Sequence, residues 1–440
     1  MDKDNLRKGY YSDQYFNNTV EILQTLSEEG YFFPDIDTDL NDIVDTEGCS
    51  IGDLVVEMQF FTRRKPYVII SGINEVLKML SECVGYFNGG TFINTFDKLE
   101  VEVVSDGDKI FYDGEVQDVL PVLKIRGRYR DFAHLETPVL GILSYATRIA
   151  TNVYDVLEAA DGKRILFFPA RFDHYLVQKT QGYAYKLALN TFIKERKEKG
   201  LSYPNPSVST FAQSELWNGL PGGTTSHSTI ASFLGNPGEM MVQFARIMPL
   251  EIPRVALVDF HNDCVKDTLL VLDMMFKEYS TLIKKQRYKE ADKYRLNGVR
   301  PDTSGNMIDE SIDKDEDNPY GVTPRLVNNL RQAIDDYAKT LKGTYNLDAE
   351  EYCQNVSITV TGGFNVDRIR EFESLNVPVD AYGVGSSLLK NDEKTNADFT
   401  ADIVRVKIKD TWYDLAKVGR KVCNNPLLKR YEGSVSNEKI

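Results

Sequence analysis

Val356-Ser357-Ile358-Thr359-Val360-Thr361-Gly362-Gly363-Phe364 is followed, after a helical stretch at 367–375, by Val377-Pro378-Val379-Asp380-Ala381-Tyr382-Gly383-Val384-Gly385-Ser386. Both apolar runs are short and read as buried parallel strands, and the helical stretch fits the crossover between them. The segment is therefore predicted as a βαβ unit. A glycine just past a strand lets the backbone approach a ligand closely and aim its N–H groups at an oxyanion. In a barrel of alternating strands and helices, the loops after the last two strands are a frequent phosphate site. A phosphate bound near Gly362, Gly363, Gly383, Gly385 and Ser386 is the starting expectation.

Working outward, 440 residues exceed one small core, so two domains, or a barrel with a substantial extra domain, are expected. Apolar content of 42% and charged content of 27% are those of a folded globular chain. No stretch approaches the roughly 20 uncharged residues of a membrane span, and Met1-Asp2-Lys3-Asp4 lacks the features of a signal peptide, so the cytoplasm is expected. A net charge of −14 repels nucleic acid and anionic membrane. The five cysteines, at 49, 83, 264, 353 and 423, show no CxxC spacing and argue against both zinc and a disulfide framework. An anionic ligand would require cations gathered locally. Arg63-Arg64-Lys65 and Arg126-Gly127-Arg128-Tyr129-Arg130 are candidates, equally readable as solvated strand-edge charges.

Residues 1–140 mix helical spacing (18–26, 72–83) with strand patterns (99–104, 109–112, 119–125), an α+β segment that leads into a long helix from Glu136 to about Ala159. Beyond Asp161-Gly162, strands are predicted at 165–169, 255–259, 298–302, 356–360 and 379–382, with weaker candidates at 208–211 and 224–228. Helices are predicted at 184–193 and 267–283. Seven strands with intervening helices suit an α/β fold of the β/α-barrel kind, because the ligand-type residues fall at the C-terminal ends of strands. The acidic run 309–317 is expected to be a mobile surface insertion. Strand patterns at 403–408 and 412–416, joined by a Lys-Asp turn, come too late for the barrel and are expected to pair back onto the N-terminal segment. The expected division is 1–140, an α+β domain; 141–395, the barrel; and 396–440, a hairpin and tail packed on the first.

Arg171, His227, Asp259, Arg300 and Asp302 stand at the ends of these strands, beside the two glycine turns. Strand ends on one face of a barrel converge on a single pocket. Arginines and backbone amides suit phosphate or carboxylate, and paired carboxylates suit Mg²⁺ or a developing positive charge. There is neither a Gly-x-Ser-x-Gly elbow nor a Walker A sequence. Singly, His227 reads more readily as a hydrogen-bonded structural histidine, and Asp259 and Asp302 equally as caps or turn formers. Gly222-Gly223-Thr224 ahead of His227 could cradle an oxyanion, which favours His227 over His134, His174 and His261.

The succession Phe168-x-x-Arg171, Gly223-Thr224-x-x-His227-Ser228, Pro253-Arg254-Val255-Ala256-Leu257-Val258-Asp259, Gly298-Val299-Arg300-Pro301-Asp302-Thr303, Gly362-Gly363-Phe364-Asn365 and Val379 to Ser386 resembles the nicotinate phosphoribosyltransferase family. Ser12-Asp13-Gln14-Tyr15, Gly127-Arg128-Tyr129, Leu135-Glu136-Thr137 and Asp398 to Val404 extend the likeness over nearly the whole chain. The resemblance implies a type II phosphoribosyltransferase, with an irregular seven-stranded β/α barrel and a domain built from both termini. It implies an enzyme of NAD salvage that joins nicotinate to phosphoribosyl pyrophosphate, releasing nicotinate mononucleotide and pyrophosphate, with Mg²⁺ and with ATP as co-substrate. Homodimers or larger assemblies with shared active sites are implied too.

Carried onto these positions, Phe168 and a neighbouring subunit's Tyr15 would stack on the pyridine ring, Arg171 would pair with the nicotinate carboxylate, and Thr224 and Asp259 would contact substrate. Arg300 and Asp302 would address the ribosyl pyrophosphate and its metal, the two glycine turns would take the 5′-phosphate, and His227 would be phosphorylated by ATP. The chain departs from the family at Arg171-Phe172-Asp173-His174-Tyr175, where a second arginine is sometimes found, and at Pro301 with the acidic insertion. Only Cys423 stands where some relatives carry a zinc cluster, so no zinc is expected. The sister nicotinamide enzyme is the alternative, with Glu215 as acceptor for an amide; the quinolinate enzyme and a non-catalytic relative follow.

Overall fold

The computed structural model describes residues 1–433 except Asn41, Val116, Thr224 and Glu316. Two compact units divide the chain: 1–152 with 390–440, and 153–389.

The first unit is built on a six-stranded antiparallel sheet in the order Thr411–Asp414, Phe399–Ile408, Val55–Thr62, Leu123–Arg128, Glu100–Val103, Lys429–Arg430. Its central strand, Val55–Thr62, alternates apolar and polar residues at 56–60, yet seven of its eight positions are buried, polar Glu57 and Gln59 among them, because the sheet is covered on both faces. The hairpin turn of Lys409 and Asp410 has positive φ at both residues, 48° and 69°, the backbone that matches the twist of tightly connected strands. Helix Ile73–Cys83 covers the sheet with Ile73, Val76, Leu77, Met79, Leu80 and Cys83, one face at helical spacing.

Both strands flanking Val55–Thr62 bring cations to Glu57, whose register partners are Arg126 and Arg405. The buried carboxylate accepts from Arg126 Nε at 2.6 Å and Lys124 Nζ at 3.2 Å. Burial opposes the charge, but these partners outweigh it and hold the carboxyl below its usual range. Arg126 also reaches Glu102 at 2.9 Å, while Arg128 and Arg130 share Asp53 at 2.9 Å each, and Arg128 takes Asp131. The basic segment 126–130 is thus neutralised by ion pairs within its own unit, which matches neither solvated strand-edge charges nor cations left free for a ligand.

Glu136, the first residue of the long helix Glu136–Ala159, shows the opposite balance. Burial, with the charges of Asp402 and Asp13 adding to it, pushes its carboxyl up to about 8, and its Oε2 has no hydrogen-bond partner among the described residues. The folded state binds this proton more tightly than the unfolded chain, whose carboxyl titrates near 4.5. The stabilisation is therefore complete below that value and is lost as pH rises toward about 8. Glu136→Gln is expected to flatten the alkaline loss of stability by on the order of 2–4 kcal/mol. Denaturant unfolding at about pH 5.5 and about pH 9 measures this, and equal losses in both proteins would refute it.

The second unit holds a parallel sheet in the order Arg164–Phe167, Ala381–Val384, Ser357–Val360, Gly298–Arg300, Val255–Leu257. A parallel bridge from Phe167 to Val208 continues it on the far side. Five of the predicted strands form; of the weaker two, 208–211 contributes this bridge alone. Residues 225–228 lead into helix His227–Ser232, because the Ser226 hydroxyl accepts from Thr229 N and caps that helix; polar Ser and Thr side chains here cap a helix instead of filling a core. Helices Gln178–Glu198, Cys264–Lys284, Pro324–Tyr345 and Val366–Ser374 separate the strands. Asp263, Thr323 and Asn365 cap the last three.

In the acidic insertion Glu310, Asp313, Asp315 and Asp317 are exposed as expected, and Asp309 departs from that expectation. Asp309 is fully buried, accepting from Cys264 N at 2.9 Å through one oxygen and from Ser311 N and Oγ through the other. A carboxylate at a helix N-terminus meets unpaired N–H groups and a favourable dipole, which outweighs the cost of burying it. An Ile308–Tyr320 bridge closes the loop. Among the described residues, no helix is long and apolar enough to cross a membrane.

Candidate active site

Parallel register places the C-terminal ends of all five strands on one side of the second unit. Strand Val255–Leu257 runs out to Asp259, Gly298–Arg300 to Asp302, Ser357–Val360 to the 361–364 turn, Ala381–Val384 to Gly385, and Arg164–Phe167 to Phe168.

Five side chains form two contact sets, His227–Asp259 and Arg300–Thr361–Asp302, which act on each other electrostatically. The first residue of a capped helix, His227, places Nε2 3.0 Å from both carboxylate oxygens of Asp259; its side chain is 48% exposed, that of Asp259 only 8%. Burial raises the Asp259 carboxyl above its ordinary value, against the pull of His227 and Arg300 and with the push of Asp302. The Arg300 guanidinium donates to Thr361 Oγ1 at 3.1 Å and to Thr225 O at 3.1 Å, and lies 3.5 Å from Asp302 Oδ2. The Thr361 hydroxyl donates to Asp302 Oδ1 at 2.6 Å. Burial pushes Arg300 below its usual value, Asp302 and Asp259 pull it back, and the positive charge of Arg171 adds to the lowering. Two guanidiniums are thus held within electrostatic reach of each other, an arrangement that an anion between them relieves.

The two glycine turns are built for different reasons. Gly362 and Gly363 have φ of 94° and 76°, which L side chains adopt with strain. Among the described residues, the amides of Gly362, Gly363 and Phe364 have no hydrogen-bond partner. Adjacent unpaired backbone donors can receive an anion, and of these residues Gly363 is exposed and Gly362 partly so. Gly383 and Gly385 have no positive φ. A Cβ on Gly383 would collide with Thr361 Cγ2 and press on the Phe168 ring, and one on Gly385 would meet the Phe172 ring. The second pair therefore makes room for Thr361, Phe168 and Phe172. Ser386, exposed, opens a single 3-10 turn at 386–389, and Ser387 Oγ donates to Phe364 O at 2.8 Å, tying one turn to the other.

Phe168 is fixed by its amide, which donates to Val384 O at 2.8 Å. Arg171 is exposed, its guanidinium 5.0 Å from the Phe172 ring centre. Thr224 lies outside the described residues. Tyr15 belongs to the first unit, where its ring is exposed and its hydroxyl donates to Asp13 Oδ2 at 3.1 Å. Glu215, the amide-acceptor candidate, pairs with Lys179 at 2.6 Å and is 58% exposed. His261 is taken by the buried Asp267 at 2.6 Å, and His174 caps a turn by accepting from Leu176 N. Sequence reasoning passed over Thr225, Arg368 and the hinge role of Thr361. Thr361 had a visible signal, its place between a buried strand and two glycines; Thr225 and Arg368 act through contacts with distant backbone, which leaves no local mark.

Residues 42–147 match the family model described as quinolinate phosphoribosyl transferase, N-terminal domain. The fold is similar to that of nicotinate-nucleotide pyrophosphorylase from Pyrococcus furiosus, with 22% identity and a TM-score of 0.60, covering 96% of this chain and 80% of that one. It is also similar to human nicotinic acid phosphoribosyltransferase, with 15% identity and a TM-score of 0.51, covering 80% of this chain and 71% of that one. No curated protein matches the sequence. The fold is α/β in class and similar to the folds of these two proteins.

Proposed function

We propose that the protein transfers the phosphoribosyl group of phosphoribosyl pyrophosphate to nicotinate, forming nicotinate mononucleotide and pyrophosphate. One observation carries the reading: Arg300, Asp302, the His227–Asp259 pair and a turn with three free amides converge at one end of a parallel sheet. In the reaction the pyridine nitrogen lone pair forms the bond to the ribose anomeric carbon as the carbon–oxygen bond to pyrophosphate breaks. The ring carries positive character in between, so the task is to hold both reactants in line and to stabilise the leaving anion. Little proton transfer is needed.

The 362–364 amides and the 383–386 turn receive the 5′-phosphate, and Arg300 faces the pyrophosphate, its direction set by Thr361 and Thr225. Asp302 and Asp259 suit Mg²⁺, which binds through one or two carboxylates and substrate oxygens, leaving waters in place; when bound it would neutralise pyrophosphate charge. Phe168, with Tyr15 from a second copy, flanks the ring, and Arg171 pairs with its carboxylate. ATP coupling is assigned to His227, whose ring is oriented by Asp259 and partly open to solvent, the posture of a nitrogen that accepts a phosphoryl group.

The family match at 42–147 favours a second reading, with quinolinate as the base. Against it, a second substrate carboxylate calls for a further cation, whereas Arg300 is already engaged and the basic cluster 126–130 is consumed by Glu57, Asp53 and Asp131. Nicotinamide would call for an acceptor such as Glu215, which is paired with Lys179. Nucleotide formation from phosphoribosyl pyrophosphate with nicotinate, nicotinamide or quinolinate, each with and without ATP, is the test. Product from nicotinate, increased by ATP, is expected; product from quinolinate alone would replace this reading with the second, and none from any base would overturn both.

A further inference from the structure

Arg368 lies on helix Val366–Ser374, directly after the 361–364 turn. Its guanidinium donates to Gly362 O at 2.6 Å and to Val322 O, and lies 4.3 Å from the Phe364 ring centre and 5.9 Å from that of Phe372. Burial pushes this guanidinium below its usual value, with Glu371 opposing. The helix holds its backbone from the other side, as Asn365 Oδ1 accepts from Arg368 N at 3.0 Å.

A trans peptide points its C=O and its N–H in opposite directions. The carbonyl of Gly362 and the N–H of Gly363 belong to one such plane, so a donor that captures the carbonyl also aims the N–H away from itself. Glycines are free enough that this plane would otherwise rotate. A Cβ built on Gly363 meets only Arg368 within 4 Å, so little else restrains the turn at that residue.

We propose that Arg368 is a positioning residue that never touches ligand: by clamping the Gly362 carbonyl to the Val322 carbonyl it pre-aims the Gly363 amide at the 5′-phosphate. This rests on the phosphate site of the proposed function. A rigid fork is required, since two carbonyls must be bridged at once while the plane stacks on Phe364; a lysine has the charge but not the fork.

Calorimetric titration of the full chain with D-ribose 5-phosphate, and separately with inorganic pyrophosphate, tests the assignment. Arg368→Ala is expected to weaken ribose 5-phosphate about tenfold or more and to leave pyrophosphate within about twofold. Arg368→Lys should stay weak for ribose 5-phosphate, and methylguanidinium added to Arg368→Ala should restore part of the affinity. Should the alanine variant fail to fold, the lysine variant decides. Wild-type affinity in Arg368→Lys would overturn the inference by showing that charge alone suffices. Equal losses for both ligands, or no loss in Arg368→Ala, would overturn it as well. Failure of the unaltered protein to bind ribose 5-phosphate would overturn the phosphate reading and this inference together, a different result from any of the above.

Discussion

Asp302→Asn should lower kcat/KM for phosphoribosyl pyrophosphate by about a hundredfold to a thousandfold, the range for removing one preorganised electrostatic group from a transition state. Asp302 receives the Thr361 hydroxyl at 2.6 Å and faces Arg300 at 3.5 Å, so the substitution acts twice. A neutral amide is a poor partner for Mg²⁺, and the substitution removes the largest charge that offsets the burial of the Arg300 guanidinium. The amide can still accept from Thr361, so the fold should survive. Initial rates over a range of Mg²⁺ concentrations, with circular dichroism as a control, measure the effect. A loss below about fivefold, with an unchanged Mg²⁺ requirement, would reduce Asp302 to a tether for Arg300.

The second large effect is expected from His227→Ala: ATP hydrolysis and the stimulation of transfer by ATP should fall about tenfold or more, while transfer without ATP continues. The imidazole contacts both oxygens of Asp259 and is half exposed, whereas Asp259 is nearly buried. On the proposed function, that asymmetry casts Asp259 as the group that orients and His227 as the group that reacts. Removing the ring also takes away the strongest influence opposing the raised titration of Asp259, so any residual activity that needs its ionised carboxylate should decline further on the acid side. ATP coupling that survives intact in this variant would exclude the phosphohistidine role.

Much of the site is legible because strand ends in a parallel sheet announce themselves locally. A buried apolar run followed by Asp, Arg or Gly marks Asp259, Arg300, Asp302 and Gly362 without knowledge of any partner, and the parallel register brings them to one side. The burial of strand Val55–Thr62 was not legible, because its Glu57 resembles a surface residue until Lys124, Arg126 and Arg405 arrive from other strands. Asp309 misled for the same reason: an acid in an acidic run looks solvated, and only the N-terminus of helix Cys264–Lys284 makes its burial favourable.

By itself, then, the sequence determined where strands end and turns begin, since these depend on apolar runs and glycines within a few residues of each other. Tertiary structure alone decided which charges remain available to a ligand and what each glycine is for. The 126–130 arginines are spent on carboxylates as far away as Glu57, whereas Arg171 and Arg300 share one field. Gly362 and Gly363 serve backbone conformation and open amides, while Gly383 and Gly385 yield space to the rings of Phe168 and Phe172. Ion pairing and steric room depend on atoms brought together across the whole chain, and no local pattern encodes them.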